Sequence, residues 1–189
     1  MTQPSFTLKL PEWINKEIEK NGTFSSDEQK MQFVINCGIQ NVKLQTGGPF
    51  AAALFNAKTH ELIAPGVNVV VASHCSLAHA EMMAIGIAQQ KLGSFELGKD
   101  TELFTSTAPC AMCLGAIPWS GVGRVVCAAR DEDARAIGFD EGAKIDNWID
   151  ALTQRGISVT VDFMRTEGKA VLDLYASLGG KIYNGTGEE

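Results

Sequence analysis

The stretch LFTSTAPCAMCLGAIPWSGVGRVVCA, residues 103–128, alternates between patterns typical of strand and of helix. Leu103 to Thr107 is a short run with strand-forming residues, and Pro109 interrupts it. Cys110 to Trp119 has the composition of a helix that begins after the proline, and Val122 to Ala128 has the composition of a buried strand. A strand, a helix and a second strand in succession predict a layered α/β domain.

The segments on both sides of this stretch extend the alternation. Ser25 or Ser26 is predicted to begin a helix, because Glu28 and Gln29 follow in capping-box positions. Asn21-Gly22 is predicted to end the helix before it. The other predicted helices are Glu12–Lys20, His79–Leu92, Asp131–Ile137, Ile145–Arg155 and Glu167–Leu178, and the other predicted strands are Phe50–Asn56, Leu62–Ala72 and Ile157–Phe163.

The bulk composition is that of an ordinary globular domain, with 189 residues of which 45% are hydrophobic and 20% are charged. The formal net charge of −6 opposes binding to phosphate backbones, which depends on clustered lysine and arginine. No stretch approaches the roughly 18 apolar residues of a membrane span. We therefore expect a small-molecule substrate, with neither nucleic acid nor membrane as partner.

The cysteine count indicates the chemistry available to the chain. Five cysteines are an odd number, which disfavours a framework of disulfides. Free thiols or a metal site are favoured instead, and with them a cytoplasmic location.

Two short motifs carry the functional prediction. His79-Ala80-Glu81 and Pro109-Cys110-Ala111-Met112-Cys113 together match the H-x-E and P-C-x-x-C signature of zinc deaminases. Catalytic zinc sites use three protein ligands, drawn from imidazole nitrogen, thiolate sulfur and carboxylate oxygen, and leave a fourth position open. His79, Cys110 and Cys113 supply this number, so we predict that they bind one zinc ion.

Glu81 lies two residues after the predicted ligand His79, at the start of a predicted helix. Its carboxylate can face the same cavity there without binding the metal. We predict that Glu81 transfers protons, first from water to a ring nitrogen and then to the departing amine. The chain is accordingly predicted to be a zinc-dependent aminohydrolase.

Other interpretations of the cysteines stay open at this point. Cys110 and Cys113 alone also suit a thiol redox pair, or half of a structural zinc site with a fourth protein ligand. His60, His74 and Cys75 are the residues that could complete such a site. A zinc-stabilised binding module without turnover is the corresponding alternative to an enzyme.

The sequence also resembles the cytidine-deaminase-like superfamily, and within it the bacterial guanine deaminase branch. The resemblance covers about residues 47–183. Gly47 to Ala53 resembles the substrate-side loop and first core strand of that branch, and Asn68 matches its base-binding asparagine. Residues 137–142 (IGFDEG) and Asn147-Trp148 resemble a segment typical of the guanine-type members.

The resemblance implies a three-layer α/β/α fold with a mixed sheet of about five strands, one zinc ion per subunit and a homodimer. It implies substrate contacts for a further set of residues, namely Asn68 at the base edge, Phe50 and Phe139 along the flat ring, Trp119 closing the pocket, and Ala80. Glu141, in preference to Asp140, is implied to hold the amino group or a ring N–H and to assist proton transfer. From the residues alone, these positions would be ordinary turn, core or surface positions.

Guanine is the substrate that the resemblance implies, with water attacking C2 to give xanthine and ammonia. Guanosine and triazines such as ammeline are the alternatives. A transfer-RNA adenosine deaminase of the same superfamily would need a cationic surface, which the acidic chain does not offer. Residues 1–189 are predicted to form one deaminase domain, with helices in 1–45, the catalytic core in 46–183 and a tail in 184–189.

Overall fold

The computed structural model describes residues 3–21 and 23–185. The helices are α1 (Trp13–Asn21), α2 (Asp27–Lys43), α3 (Val70–Ser73), α4 (Ala80–Leu92), α5 (Ala111–Ser120), α6 (Asp131–Ala136), α7 (Trp148–Thr153) and α8 (Arg165–Ser177). The strands are β1 (Ala51–Asn56), β2 (Leu62–Val67), β3 (Thr101–Thr107), β4 (Arg124–Ala129) and β5 (Ser158–Thr160). No helix within these two ranges is long and apolar enough to cross a bilayer. The predicted helix end at Gly22 and residues 186–189 of the predicted tail lie outside the described residues.

The strands form one mixed sheet of five strands in the order β2-β1-β3-β4-β5. β1 is antiparallel to both of its neighbours, and Ala53 lies opposite Pro65 of β2 and Phe104 of β3. β3, β4 and β5 are parallel to one another. The parallel pair β3 and β4 needs a crossover, which α5 provides. The predicted mixed sheet of about five strands is confirmed.

Helices cover both faces of the sheet, and each face has its own hydrophobic core. α2 and α8 pack on one face, over a core that includes Phe33 and Phe55. α4 packs on the other face, where Ala84, Ile117 of α5 and Leu152 of α7 belong to the second core. The arrangement is the three-layer α/β/α fold that the sequence predicted.

α4 lies unusually close to the sheet because the residues between them are small. A Cβ atom on Gly66 of β2 would be 2.1 Å from the backbone oxygen of Ala80 and 2.6 Å from the backbone nitrogen of Ala84. Only glycine therefore fits at this position. The contact brings the first turn of α4 directly onto β2.

Several predicted boundaries differ from the structure, and the largest difference concerns the predicted strand Leu62–Ala72. β2 ends at Val67, and the apolar residues that follow form the short helix α3. The reason is local: the side-chain Oδ1 of Asn68 accepts a hydrogen bond from the Val70 backbone N–H (3.2 Å) and turns the chain. The predicted helix Ile145–Arg155 and strand Ile157–Phe163 are shorter than expected, as α7 and β5 show.

A buried chain of hydrogen bonds links α1 and α2 to the loop before β1. The Asn41 side chain is fully buried, and its Nδ2 donates to the backbone oxygens of Gly48 (2.9 Å) and Asn68 (2.8 Å). Thr46 Oγ1 donates to Asn41 Oδ1 (2.7 Å) and accepts from Trp13 Nε1 (3.0 Å). The two amino-terminal helices thus hold the backbone on either side of β1 and β2.

Asn41→Leu is expected to lower the free energy of unfolding by about 2–4 kcal/mol, measured by chemical denaturation. Leucine has a similar size, but it leaves two buried backbone oxygens and the Thr46 hydroxyl without their partner. Trp13→Phe is the matched control, because it removes only the outermost donor and should cost about 1 kcal/mol. Equal losses in the two variants would show that Asn41 is not the centre of this network.

Candidate active site

Three potential metal ligands meet at the starts of two helices. His79 is the N-cap residue of α4, and Cys110 is the N-cap residue of α5. The Cys110 and Cys113 sulfurs lie 3.5 Å and 3.7 Å from His79 Nδ1, and all three ligand atoms lie within 4.8 Å of one another. Helix N-termini stabilise negative charge, which favours thiolates at these two positions.

The geometry of this cluster fits zinc. Zn–N and Zn–S bonds of about 2.0 and 2.3 Å at a tetrahedral angle separate the two ligand atoms by about 3.5 Å. The group within metal-binding distance has three members among the described residues, and it does not include His60, His74 or Cys75. A structural zinc site needs a fourth protein ligand, so this donor set has the composition of a catalytic site instead.

The ionisation of the cluster also fits a divalent cation. A hydrogen bond from the Cys113 thiol lowers the pKa of Cys110 to about 4, and the same contact together with burial raises the pKa of Cys113. Burial raises the pKa of Glu81, and the charge of Cys110 adds to this rise. Several acidic groups therefore lie close together in a site with little water, where they cannot all be ionised at once. A bound cation stabilises their ionised forms.

Glu81 lies in the first turn of α4, directly beside the ligands, and is only 6% exposed. Its Oε2 accepts from the Cys113 thiol (3.4 Å), and its Oε1 lies 3.4 Å from Thr105 Oγ1. The carboxylate is therefore held at the metal cluster by contacts on both of its oxygens. This is the position that the sequence predicted for a proton carrier.

The cluster opens into a cavity of about 480 Å³. Apolar and aromatic side chains and a few polar groups line it, which is typical of sites for small ring compounds. The lining includes His79, Glu81, Thr107, Cys110, Phe50, Phe139, Asp140, Glu141 and Tyr183.

Phe50 and Phe139, which were predicted to contact the flat ring of a substrate, both line the cavity. Their ring centroids lie 4.8 Å apart with an angle of 69° between the planes. The two rings therefore meet edge to face, and no flat ring is sandwiched between them in this arrangement.

Glu141 lines the cavity and is 5% exposed, whereas the side chain of Asp140 is 51% exposed. Burial, followed by the charges of Cys110 and Glu81, raises the pKa of Glu141 to about 8. Its backbone oxygen accepts from the Ala111 N–H (2.9 Å), which ties this loop to the start of α5. The structure thus favours Glu141 over Asp140 as the acid that faces a ligand.

Asn68 is fully buried, and its amide contacts a residue of the carboxyl-terminal segment. Asn68 Nδ2 donates to the Tyr183 hydroxyl (2.5 Å). The Tyr183 ring lines the cavity and lies near the rings of Phe139 (5.2 Å) and His79 (6.4 Å). Tyr183 had no predicted role, because its only sequence signal was an aromatic residue in a glycine-rich segment.

The structure does not bring Trp119 or Ala80 into the cavity, within the residues described. Trp119 is 86% exposed and lines a separate surface hollow with Pro118 and Ile145. Trp119 was expected to close the pocket, but it lies nine helical residues after Cys110. These residues span about 14 Å and carry Trp119 away from the metal cluster. Ala80 is fully buried in the second core.

Comparisons with known proteins agree with this site. The family model of the cytidine and deoxycytidylate deaminase zinc-binding region matches residues 25–129. A guanine deaminase of Bacillus subtilis (strain 168) is 40% identical over 114 residues, which cover 60% of this chain and 71% of that protein. A tRNA-specific adenosine deaminase of Streptococcus pyogenes is 39% identical, but over only 75 residues and 46% of its length.

Solved structures are similar over nearly the whole chain. A guanine deaminase from Nitrosomonas europaea has a TM-score of 0.86 and 40% identity, with 94% of this chain and 99% of that chain covered. Another structure, in complex with 2,6-diaminopurine, has a TM-score of 0.85 and 42% identity over 94% of this chain and 96% of that one.

The similarity to known deaminases thus covers nearly the whole fold as well as the metal cluster. The matched family region contains all three predicted ligands and Glu81, so a redox pair and a non-catalytic module no longer explain the two motifs. The chain belongs to the cytidine and deoxycytidylate deaminase family of zinc-dependent hydrolytic deaminases and, within it, groups with the guanine deaminases.

Proposed function

We propose that this chain deaminates guanine at C2, giving xanthine and ammonia. The observation that carries the proposal is the cavity in which Glu81 and the three-ligand cluster face the aromatic wall of Phe50 and Phe139. Guanine deaminases are among the relatives at about 40% identity, and one similar structure holds 2,6-diaminopurine. A flat purine suits a cavity with apolar walls and acidic groups.

His79, Cys110 and Cys113 would hold the zinc ion. When bound, zinc acts as a Lewis acid that makes water a nucleophile at neutral pH. Glu81 accepts the proton that the attacking water loses and passes it to the ring nitrogen beside C2. Glu81 then takes the proton of the hydroxyl now on C2 and passes it to the amino group, the C2–N bond breaks with its electron pair going to nitrogen, the C2 oxygen becomes a carbonyl, and ammonia leaves.

Glu141 and Asn68 would orient the purine. A buried carboxyl group whose pKa is raised to about 8 retains a proton near neutral pH, so Glu141 can donate as well as accept. Asn68 would donate to a ring carbonyl, next to or in place of the Tyr183 hydroxyl that it contacts now. Phe50 and Phe139 would hold the ring plane, and Ala80 and Trp119 would not contact substrate within one chain.

Residues 1–189 would act as one catalytic domain, without a division between the amino-terminal helices and the core. The Asn41 network joins α1 and α2 to the loop before β1. At the other end, Asn184 accepts from the Asp140 N–H (2.9 Å) and donates to the Gly138 oxygen (3.0 Å). Because two metal ligands are thiolates, a reducing compartment such as the cytoplasm suits the enzyme.

The substrate is tested by measuring ammonia release from the zinc-loaded protein with guanine, guanosine, ammeline, adenosine and cytidine in parallel. We expect guanine to be turned over with a kcat/KM at least tenfold above the others. Turnover of guanosine alone would move the substrate to the nucleoside. Turnover of none of the five would contradict the proposal.

Glu81→Gln is expected to keep one zinc ion per chain while kcat falls by about 10²–10⁴-fold, because the amide cannot transfer the proton. Metal analysis and ammonia release measure the two effects. Cys110→Ala should instead lose the zinc, whereas the control Cys75→Ala should retain both zinc and activity. Activity retained in Glu81→Gln would remove Glu81 from the mechanism.

The chain would form a homodimer through the surface around Trp119. Trp119 is 86% exposed, and Ile145, which lines the same hollow, is 50% exposed. Exposed apolar side chains that lie together are typical of protein interfaces.

Trp119→Arg is therefore expected to shift the protein from dimer to monomer in light scattering. Phe95→Arg is the matched control, because Phe95 is 82% exposed but does not line the same hollow. A wild-type protein that is monomeric at all concentrations would contradict the assembly.

A further inference from the structure

Three consecutive hydroxyl side chains end β3 beside the active site, and two of them have partners in the fold. Ser106 Oγ accepts from the Ala51 backbone N–H (3.0 Å). Thr105 Oγ1 donates to the backbone oxygen of Thr107 (2.9 Å) and also lies 3.4 Å from Glu81 Oε1. The Ser106 hydroxyl therefore binds the neighbouring strand, and the Thr105 hydroxyl contacts its own strand and the Glu81 carboxylate.

The third hydroxyl, of Thr107, is buried and has no hydrogen-bond partner among the described residues. Thr107 is only 3% exposed, and it lines the cavity that contains Glu81 and Cys110. A buried hydroxyl without a partner destabilises a fold, and valine would fill the same space without this cost. Replacing Thr107 by valine would therefore remove no interaction that stabilises the fold.

The direction of the side chain follows from the strand. Side chains two residues apart in a strand point to the same face, so Thr107 shares the face of Thr105, where Glu81 lies. Its backbone is already held by β4, since Thr107 pairs with Ala129 and the next N–H, of Ala108, donates to the Ala129 oxygen (2.8 Å). Thr107 is thus a residue of the cavity wall with a fixed backbone, and its enclosed hydroxyl lies on the face of the strand where Glu81 lies.

We propose that Thr107 Oγ1 is a substrate-binding group that hydrogen-bonds a polar atom on the edge of the bound amino-heterocycle. This inference rests on the proposed function and adds a recognition residue to it. A hydroxyl both donates and accepts, so it pairs with a ring carbonyl or with an exocyclic amino group. Thr107 therefore serves purines that differ in these substituents, while Glu81 and the ligand set act at C2.

The test compares Thr107→Val, Thr107→Ser and a matched control, Thr101→Val. Thr101 lies on the same strand with the same 3% exposure, but its hydroxyl donates to the Leu97 backbone oxygen (2.9 Å). Thr107→Val should lower kcat/KM for guanine by about 10- to 100-fold without lowering the Tm, and Thr107→Ser should restore most of the activity. Thr101→Val should lower the Tm and leave kcat/KM unchanged.

Binding of 2,6-diaminopurine and 8-azaguanine, measured by calorimetry on the zinc-loaded protein, separates this inference from the proposed function. Weaker binding of both compounds by Thr107→Val than by wild type supports the inference. If wild-type protein binds the compounds but does not turn over guanine, only the proposed function fails. A kcat/KM and dissociation constants within twofold of wild type would overturn the inference. A wild-type protein that neither turns over guanine nor binds the two compounds would overturn both.

Discussion

The active-site geometry depends on the close approach of α4 to the sheet at Gly66. A side chain there would collide with the backbone of Ala80, one residue after the ligand His79. Because main chain packs directly on main chain, the first turn of α4 has little freedom to move. Cys110 follows the end of β3 by three residues and begins α5. The 3.5 Å between His79 Nδ1 and Cys110 Sγ therefore results from the positions of two helix starts, which gives the ligand set its preorganisation.

The same arrangement places four acidic groups close together at the metal cluster, where most of them have little contact with water. Cys113, Glu81 and Glu141 are buried and Cys110 is half-buried, and of these four groups only Cys110 has a pKa below its ordinary value. A dry site tolerates little net negative charge without a counterion. A bound divalent cation supplies that charge, so metal binding and the stability of this part of the fold are coupled.

The parts of the site that could be predicted from sequence are those in which spacing alone places the side chains. His79 with Glu81, and Cys110 with Cys113, are close in the chain and sit at helix starts, so their mutual geometry follows from local structure. Trp119 was misplaced because its position depends on how far α5 runs from the cavity. The predicted α/β order survived errors such as the strand Leu62–Ala72, since the alternation of elements does not depend on their ends. The meeting of His79 with the two cysteines was predicted from the paired zinc-deaminase motifs, whereas the contact of Asn68 with Tyr183 had no sequence signal.

Asn68 makes a local hydrogen bond that turns the chain and also contacts two distant parts of the chain. It is a turn residue, since its Oδ1 accepts from the Val70 N–H and ends β2. It also supports a residue of the cavity wall, since its Nδ2 donates to the hydroxyl of Tyr183, 115 residues later in the chain. Its backbone oxygen is held in turn by Asn41 of α2 (2.8 Å). The turn at the end of β2 is therefore joined to the carboxyl-terminal segment on one side and to the amino-terminal helices on the other.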